Sequence, residues 1–356
     1  MTNGFQEKLL SNKLFMNKIF IIGLLFVLLF SSSVWSQKKF EPVNKNASPE
    51  ARFLLEYLYS KSGKKIISGH CASGNDFNKW HEYVEGLTYK SPAIWGSGFN
   101  RYYKDGYADS VVNEAIKRHK EGYVITLMWH TGKPQDNPPF DWKTSTQGEM
   151  RDAEWKELIT PGTLLNKKWE ARVDTIATYL KKLKNAKVPV LWRPYHEMNG
   201  IWFWWGDKKG KEGYAKLWKM MYHRFVNYHH LDNLIWVWNA NAPRDLEDDE
   251  AYDYKFYFPG VDYVDVLAAD VYHNDYKQSH HDDLLKLAKG KIIALGEIGE
   301  VPTPEILTQQ PMWTWFMIWV QWAETHNTTQ QIKDLYKYSN TLSLEDTRSE
   351  KHSINK

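Results

Sequence analysis

Two glutamates in this sequence are placed for chemistry. Glu197 lies in "LWRPYHEMNGIWFWWG" (191–206) and Glu297 in "KIIALGEIG" (291–299), each at the end of a short apolar run. Two carboxyl groups facing one space are what cleavage of a glycosidic bond needs. One, protonated, gives its proton to the leaving oxygen, and the other, ionised, attacks the anomeric carbon or activates water. Similar apolar runs bring other polar or aromatic groups to their ends: His130 in "YVITLMWH" (123–130), Trp238 in "NLIWVWNAN" (233–241), Tyr272 in "VDVLAADVYH" (264–273) and Trp319 in "WFMIWVQWA" (315–323). Glu197 is read as the proton donor. The aromatics that follow it, Trp202, Phe203, Trp204 and Trp205, are read as a platform on which sugar rings stack, burying their C–H faces and leaving their hydroxyls free.

The elements that must position these groups alternate along the chain. With "KIISGHC" (65–71), "PAIWGSGF" (92–99) and "VPVLWRPYHE" (188–197) there are eight short runs, several apolar on both alternating faces, as strands buried on both sides are. Helical patterns separate them, such as 109–122, where Val112, Ile116 and His119 recur at helical spacing before Gly122. The pattern predicts a single α/β domain, a (β/α)8 TIM barrel with its cleft at the C-terminal ends of the strands. A six-stranded doubly wound sheet is the alternative, and it leaves two runs unplaced. The expected boundaries are a signal peptide over 1–36, a polar segment over 37–48, the barrel over 49–342 and a polar tail over 343–356. The longest connection, 131–168, is rich in Pro and Asp and of a length that carries function.

Composition narrows the classes. Aromatics make up 15% of the 356 residues, with 18 Trp, and part of that surplus is expected to line a binding surface. Lys13 and Lys18 precede "IFIIGLLFVLLF" (19–30), which has the length of a signal h-region, and Val34 and Ser36 suit a cleavage site before Gln37. Met16 is an alternative start, and an uncleaved membrane anchor is the competing reading of the same run. The leader carries three lysines and one glutamate, so its removal takes the net charge from +3 to +1. A near-neutral chain gives no electrostatic case for nucleic acid or an anionic membrane. The lone Cys71 cannot form an internal disulfide, so stability must come from the core. No metal site is expected: "YHH" (228–230) and "SHHDD" (279–283) fall on surface connections, and "HEMNG" is not a zincin motif.

The segment "RPYHEMNGIWFWWG" closely resembles the acid/base segment of glycoside hydrolase family 26, in which endo-β-1,4-mannanases predominate. "WVWNANAPRD", "DVYH", "LGEIG" and "FMIW" resemble its later site segments in order, and the likeness covers nearly all of 50–340. The resemblance implies Glu197 as general acid/base and Glu297 as nucleophile of a retaining mechanism. It also implies that His196 orients and tunes the surroundings of Glu197, that Tyr272 hydrogen-bonds Glu297, and that Arg193 supports the nucleophile with positive charge. Trp202 and Trp319 would pack around the sugar, and His130 would contact its hydroxyls. One segment departs from the family pattern. Where many mannanases carry an acidic residue after a glycine on the second strand, "IWGSGFN" offers Ser97 and Asn100, which bears on the distal subsites.

The expected function is therefore a secreted or periplasmic hydrolase of internal β-1,4-mannosidic bonds in mannan, glucomannan or galactomannan. It would work as a monomer, need no cofactor, and keep no membrane anchor after cleavage of the leader. The same machinery acting on β-1,3-xylan or mixed-linkage glucan, and a non-catalytic glycan-binding barrel, are the alternatives.

Overall fold

Runs such as Val-Ile-Thr-Leu-Met-Trp bury side chains on both faces of the chain, which only a parallel sheet wrapped by helices accommodates. The computed structural model describes residues 41–354 apart from Ser73 and Asn75, so the expected leader lies outside the described residues. Strands β2 (Gly69–Cys71), β3 (Ile94–Gly98), β4 (Val124–Trp129), β5 (Val190–Pro194), β6 (Leu234–Asn241), β7 (Val266–Val271) and β8 (Ile292–Ile298) form one parallel sheet in chain order. Residues 313–319 close it. Their backbone bonds to β8 on one side (Leu295 N to Trp315 O, 2.9 Å; Ile298 N to Met317 O, 2.9 Å) and to β2 on the other (Ile318 N to Gly69 O, 3.0 Å). The eighth run thus takes the eighth position of the barrel through backbone bonds to both neighbours, although it is too irregular to be a regular strand.

The first run splits. β1 (Ile66–Ile67) pairs with β9 (Thr341–Leu342), and the chain crosses at Ser68 into β2. The helices start where local chemistry starts them. Ser48 caps α1 (Pro49–Lys61) by accepting from Ala51 N, with Pro49 in the first turn. Helix α2 (Lys79–Thr88) follows, and the helix expected over 109–122 is α3 (Tyr107–Lys120). The face of α3 that enters the core is Val111, Val112, Ala115 and Arg118, one step around from the expected one, and Ile116 and His119 are only half-buried.

Both expected ends of the domain move outward. Val43 N donates to Asp265 Oδ1 (2.7 Å) and Asn44 Nδ2 to Leu231 O (3.0 Å), so the polar stretch before residue 49 is pinned to the barrel. Residues 344–354, expected as tail, form a helix whose Leu344 and Thr347 are buried and whose Glu350 accepts from Tyr57 (2.8 Å). Apolar Leu344 and the Ser343–Asp346 cap (2.8 Å) are the local reason.

The tryptophan surplus is explained mainly by packing. Among the described residues eleven indoles are fully buried. Trp192 and Trp236 point outward from the barrel against Phe225, and Trp236 also meets Trp218 and Tyr222. Large flat side chains fill the layer between strands and helices. Most of the indole is therefore core, which leaves only a small part of the surplus for a binding surface. Among the described residues no helix is long and apolar enough to cross a membrane.

Candidate active site

Glu297 sits within β8, buried to 2% exposure. Its Oε1 accepts from Arg193 Nη2 at 3.0 Å and lies 3.3 Å from His196 Nε2, while Oε2 accepts from the Tyr272 hydroxyl at 2.8 Å. His196 Nε2 faces the carboxylate, and its Nδ1 has no partner. Burial alone would raise the Glu297 pKa, but His196 and Arg193 more than offset it and hold the group at about 2. Glu297 is therefore an ionised carboxylate at any ordinary pH. The preceding Gly296 has a steric reason: a Cβ there would fall 1.8 Å from Asn239 Oδ1 and 2.8 Å from Asp270 Oδ1. Glycine lets a polar floor close up beneath the carboxylate.

That floor is built from alternate residues of neighbouring strands. Arg193 from β5 donates through Nη1 to Asn239 Oδ1 of β6 (2.7 Å) and lies 3.9 Å from Asp270 Oδ1 of β7. Asp270 is fully buried. Burial, with the charges of Glu297 and Glu197, pushes its carboxyl well above the usual range. Sequence reading passed over Asp270 and Asn239. The signal was present as alternation, since Asp270 and Tyr272 are two apart, as are Asn239 and Asn241, and such pairs share a face. His196, Asp270 and Glu297 bring ligating atoms within 4.8 Å of one another, a set that sequence reading did not anticipate and one compact enough for an ion. Arg193 contacts both carboxyls of this set and is the cation they face.

Glu197 stands on a different support. The chain leaves β5 through left-handed conformations at Tyr195 (φ 48°) and Glu197 (φ 56°), which non-glycine residues adopt at a cost of about 1–3 kcal/mol. Surrounding bonds fix that turn. Tyr195 O accepts from the Tyr214 hydroxyl (2.9 Å), His196 O from Trp205 Nε1 (2.8 Å), and Glu197 N donates to Asn239 O (2.8 Å). Trp204 Nε1 ties the same loop to Thr131 O (2.8 Å). The carboxyl itself accepts from Trp202 Nε1 on Oε2 (2.9 Å) and from Asn241 Nδ2 on Oε1 (2.8 Å). Burial raises its pKa; His196 and the two donors pull it down, and the charge of Glu297 pushes it up, leaving it raised. It keeps 8% exposure. A carboxyl that holds its proton more tightly than usual is suited to donate one.

The aromatic run after Glu197 corrects the expectation of a platform. Trp204 and Trp205 are fully buried and Phe203 nearly so, and only Trp202 is partly open. Their N–H groups hold the turn in place. Gly200 is needed here because a Cβ would lie 2.2 Å from the Trp202 ring. Trp238 is also corrected: it is wholly buried against Tyr254 and Phe258, pointing out of the barrel, because its neighbour Asn239 points in. It has no path to a ligand.

The other expected residues are placed at the mouth of the barrel. His130 packs against His196 with ring centroids 4.4 Å apart; burial and His196 keep its pKa well below normal, so it is a neutral imidazole. Trp319 is half-buried, and its backbone N–H donates to Ile298 O (2.9 Å), next to Glu297. Trp142 is a residue that sequence reading missed. It lies in a π-helical turn, Trp142–Thr146, within the long connection after β4. It is 44% exposed and packs on His130 (5.2 Å) and Phe203 (5.9 Å), so it presents an open ring beside the site.

Comparison with known proteins agrees with this geometry. The model of Glycosyl hydrolase family 26 matches residues 43–346. A mannan endo-1,4-beta-mannosidase of Thermothelomyces thermophilus is 34% identical over 85% of this chain, which spans 62% of that protein. The chain spans only about half of two similar Piromyces enzymes, but 93% of a mannan endo-1,4-beta-mannosidase of Bacillus subtilis, at 30% identity over 90% of this chain. Among solved structures, GH26A from Muricauda sp. MAR_2010_75 is 51% identical with a TM-score of 0.82, covering 85% of this chain and 99% of that one. A beta-mannanase from a protist symbiont of the termite Reticulitermes speratus, solved with a gluco-manno-oligosaccharide, superposes at a TM-score of 0.75 with 29% identity, covering 86% and 97%. With its barrel, its paired glutamates and a family match over most of its length, this chain belongs to glycoside hydrolase family 26.

Proposed function

We propose that the protein is an exported, retaining endo-β-1,4-mannanase. The observation that carries this reading is the contrast between its two glutamates: Glu297 is held ionised by Arg193, His196 and Tyr272, while the pKa of Glu197 is raised and its partners are the neutral donors Trp202 and Asn241. In the first step Glu197 gives its proton to the glycosidic oxygen as Glu297 attacks C1. The C1–O bond breaks and a glycosyl ester forms on Glu297. In the second step the Glu197 carboxylate takes a proton from water, the water oxygen attacks C1, and the ester bond to Glu297 breaks. The neutral His130, Trp202, Trp142 and Trp319 would receive the sugar. The substrate class rests on the relatives named mannan endo-1,4-beta-mannosidases and on the beta-mannanase solved with a gluco-manno-oligosaccharide.

The test is a panel of linear mannan, galactomannan, glucomannan, β-1,3-xylan and mixed-linkage β-glucan, with proton NMR of the first products. Short mannooligosaccharides of several lengths, released first as the β anomer, are expected. Preferential cleavage of xylan or β-glucan would overturn the substrate, α product would overturn retention, and binding without cleavage would overturn the enzyme reading.

A further inference from the structure

Neither donor to Glu197 is held by the barrel alone; both are gripped by Arg244, in the loop that follows β6. Arg244 donates from Nη1 to Asn241 Oδ1 at 2.6 Å, and its guanidinium carbon stands 5.0 Å from the centre of the Trp202 ring. Asn241 and Trp202 are the residues whose N–H groups reach the two oxygens of Glu197. The arginine is itself anchored. Nη2 and Nε bond the side chain and carbonyl of Asp249 (2.6 and 2.9 Å), and its backbone pairs with Ala251 in both directions at 2.9 Å. Its side chain is 10% exposed, so these contacts are shielded from solvent.

We infer that Arg244 is a positioning residue for the acid/base, fixing the two groups that donate to Glu197. An amide can present either end to a neighbour. With Oδ1 committed to Arg244, Asn241 must turn Nδ2 toward Glu197; a flipped amide would set oxygen against carboxylate. A cation over an indole face likewise resists rotation of the Trp202 ring. Donors to both oxygens favour the ionised carboxyl and work against its burial. Arg244 thus keeps Glu197 able to release its proton in the first step and to serve as base in the second. The inference rests on the reading of Glu197 as acid/base.

The test compares Arg244→Met, which keeps an apolar stem on Trp202 but loses the fork, with Arg244→Lys and the wild type. Each is assayed on two aryl mannosides, one with a poor and one with an activated leaving group. Arg244→Met should lose about tenfold in kcat/KM on the poor leaving group, the cost of a disordered donor. The alkaline limb of its pH profile should move up by about one unit, because the carboxyl loses donors to its charged form. The activated substrate, which needs no proton, should change less than twofold in kcat/KM. Arg244→Lys should recover part of both effects.

Glu197 is faced by His196 from its own segment, Asp270 and Tyr272 from β7 and its end, and Glu297 from β8, and none of these changes. His273, 3.4 Å from Asp249, is replaced in parallel by His273→Gln to separate its titration. If Arg244→Met does not fold, Asp249→Asn, which only slackens the anchor, must move the limb in the same direction. Equal losses on both substrates with an unmoved limb, or an Asp249→Asn limb that stays in place, overturn the inference. Glu197→Ala keeps this separate from the functional reading. If its loss is independent of the leaving group, the acid/base assignment fails. If that loss depends on the leaving group and the loss in Arg244→Met does not, only the role of Arg244 fails.

Discussion

The two glutamates stand on different kinds of backbone. Glu297 occupies a regular strand with bonded neighbours on both sides, and Glu197 a left-handed turn just past the end of a strand. Around Glu297 the partners are an arginine, an imidazole and a phenol, which converge on a charge. Around Glu197 they are an indole and an amide, neutral donors that favour the charge only moderately. For a retaining hydrolase as proposed, the group that must enter the first step ionised is built into the rigid sheet beside a cation, and the group that must lose and regain a proton is set on a turn with weaker partners. The same side chain is thereby given two environments by its surroundings.

Breaking the comparison at its stronger end should cost most. Glu297→Ala removes the only group placed to form the glycosyl ester, and activity on every substrate should fall on the order of 10⁵-fold. Glu197→Ala should lose about 10³-fold on mannan, where a proton must be supplied. With an activated aryl mannoside it should show a burst of released phenol and then a slow phase that azide accelerates. On an aryl mannoside with a poor leaving group the alkaline limb of its residual kcat/KM should disappear, because that limb reports Glu197 giving up its proton. Equal losses in both mutants on both substrates would erase the distinction.

A smaller change sharpens the comparison from the other side. Tyr272→Phe removes one donor to the ionised Glu297 and nothing from Glu197. The pKa of Glu297 should rise, so the acid limb should move to higher pH while the alkaline limb stays, with a loss of about tenfold near the optimum. Movement of the alkaline limb alone would mean that Tyr272 serves the other carboxyl.

Much of this was legible in sequence, and the residues show where legibility stops. The apolar runs announced the barrel because strands buried on both faces need no alternation, and each of the paired glutamates marks a place where such a run turns polar. What the runs hid was direction. Trp238 and Asn239 are adjacent, and only the pleat decides that the asparagine enters the barrel and the tryptophan leaves it. The left-handed backbone at Tyr195 and Glu197 carries no glycine to announce it. A row of aromatics looks alike whether its faces meet sugar or its N–H groups lock a turn. Asp270 was masked by its apolar neighbours, and Arg244 by an irregular loop with no periodicity to place it.

The division of labour between the two carboxyls is tested most directly by trapping the intermediate. An activated mannoside with fluorine beside the anomeric centre slows both steps but the second more, so a glycosyl-enzyme should accumulate. Digestion and mass spectrometry should place the sugar on Glu297, in the peptide carrying "LGEIG". A sugar found on Glu197, or direct release of α product with neither glutamate labelled, would contradict the account.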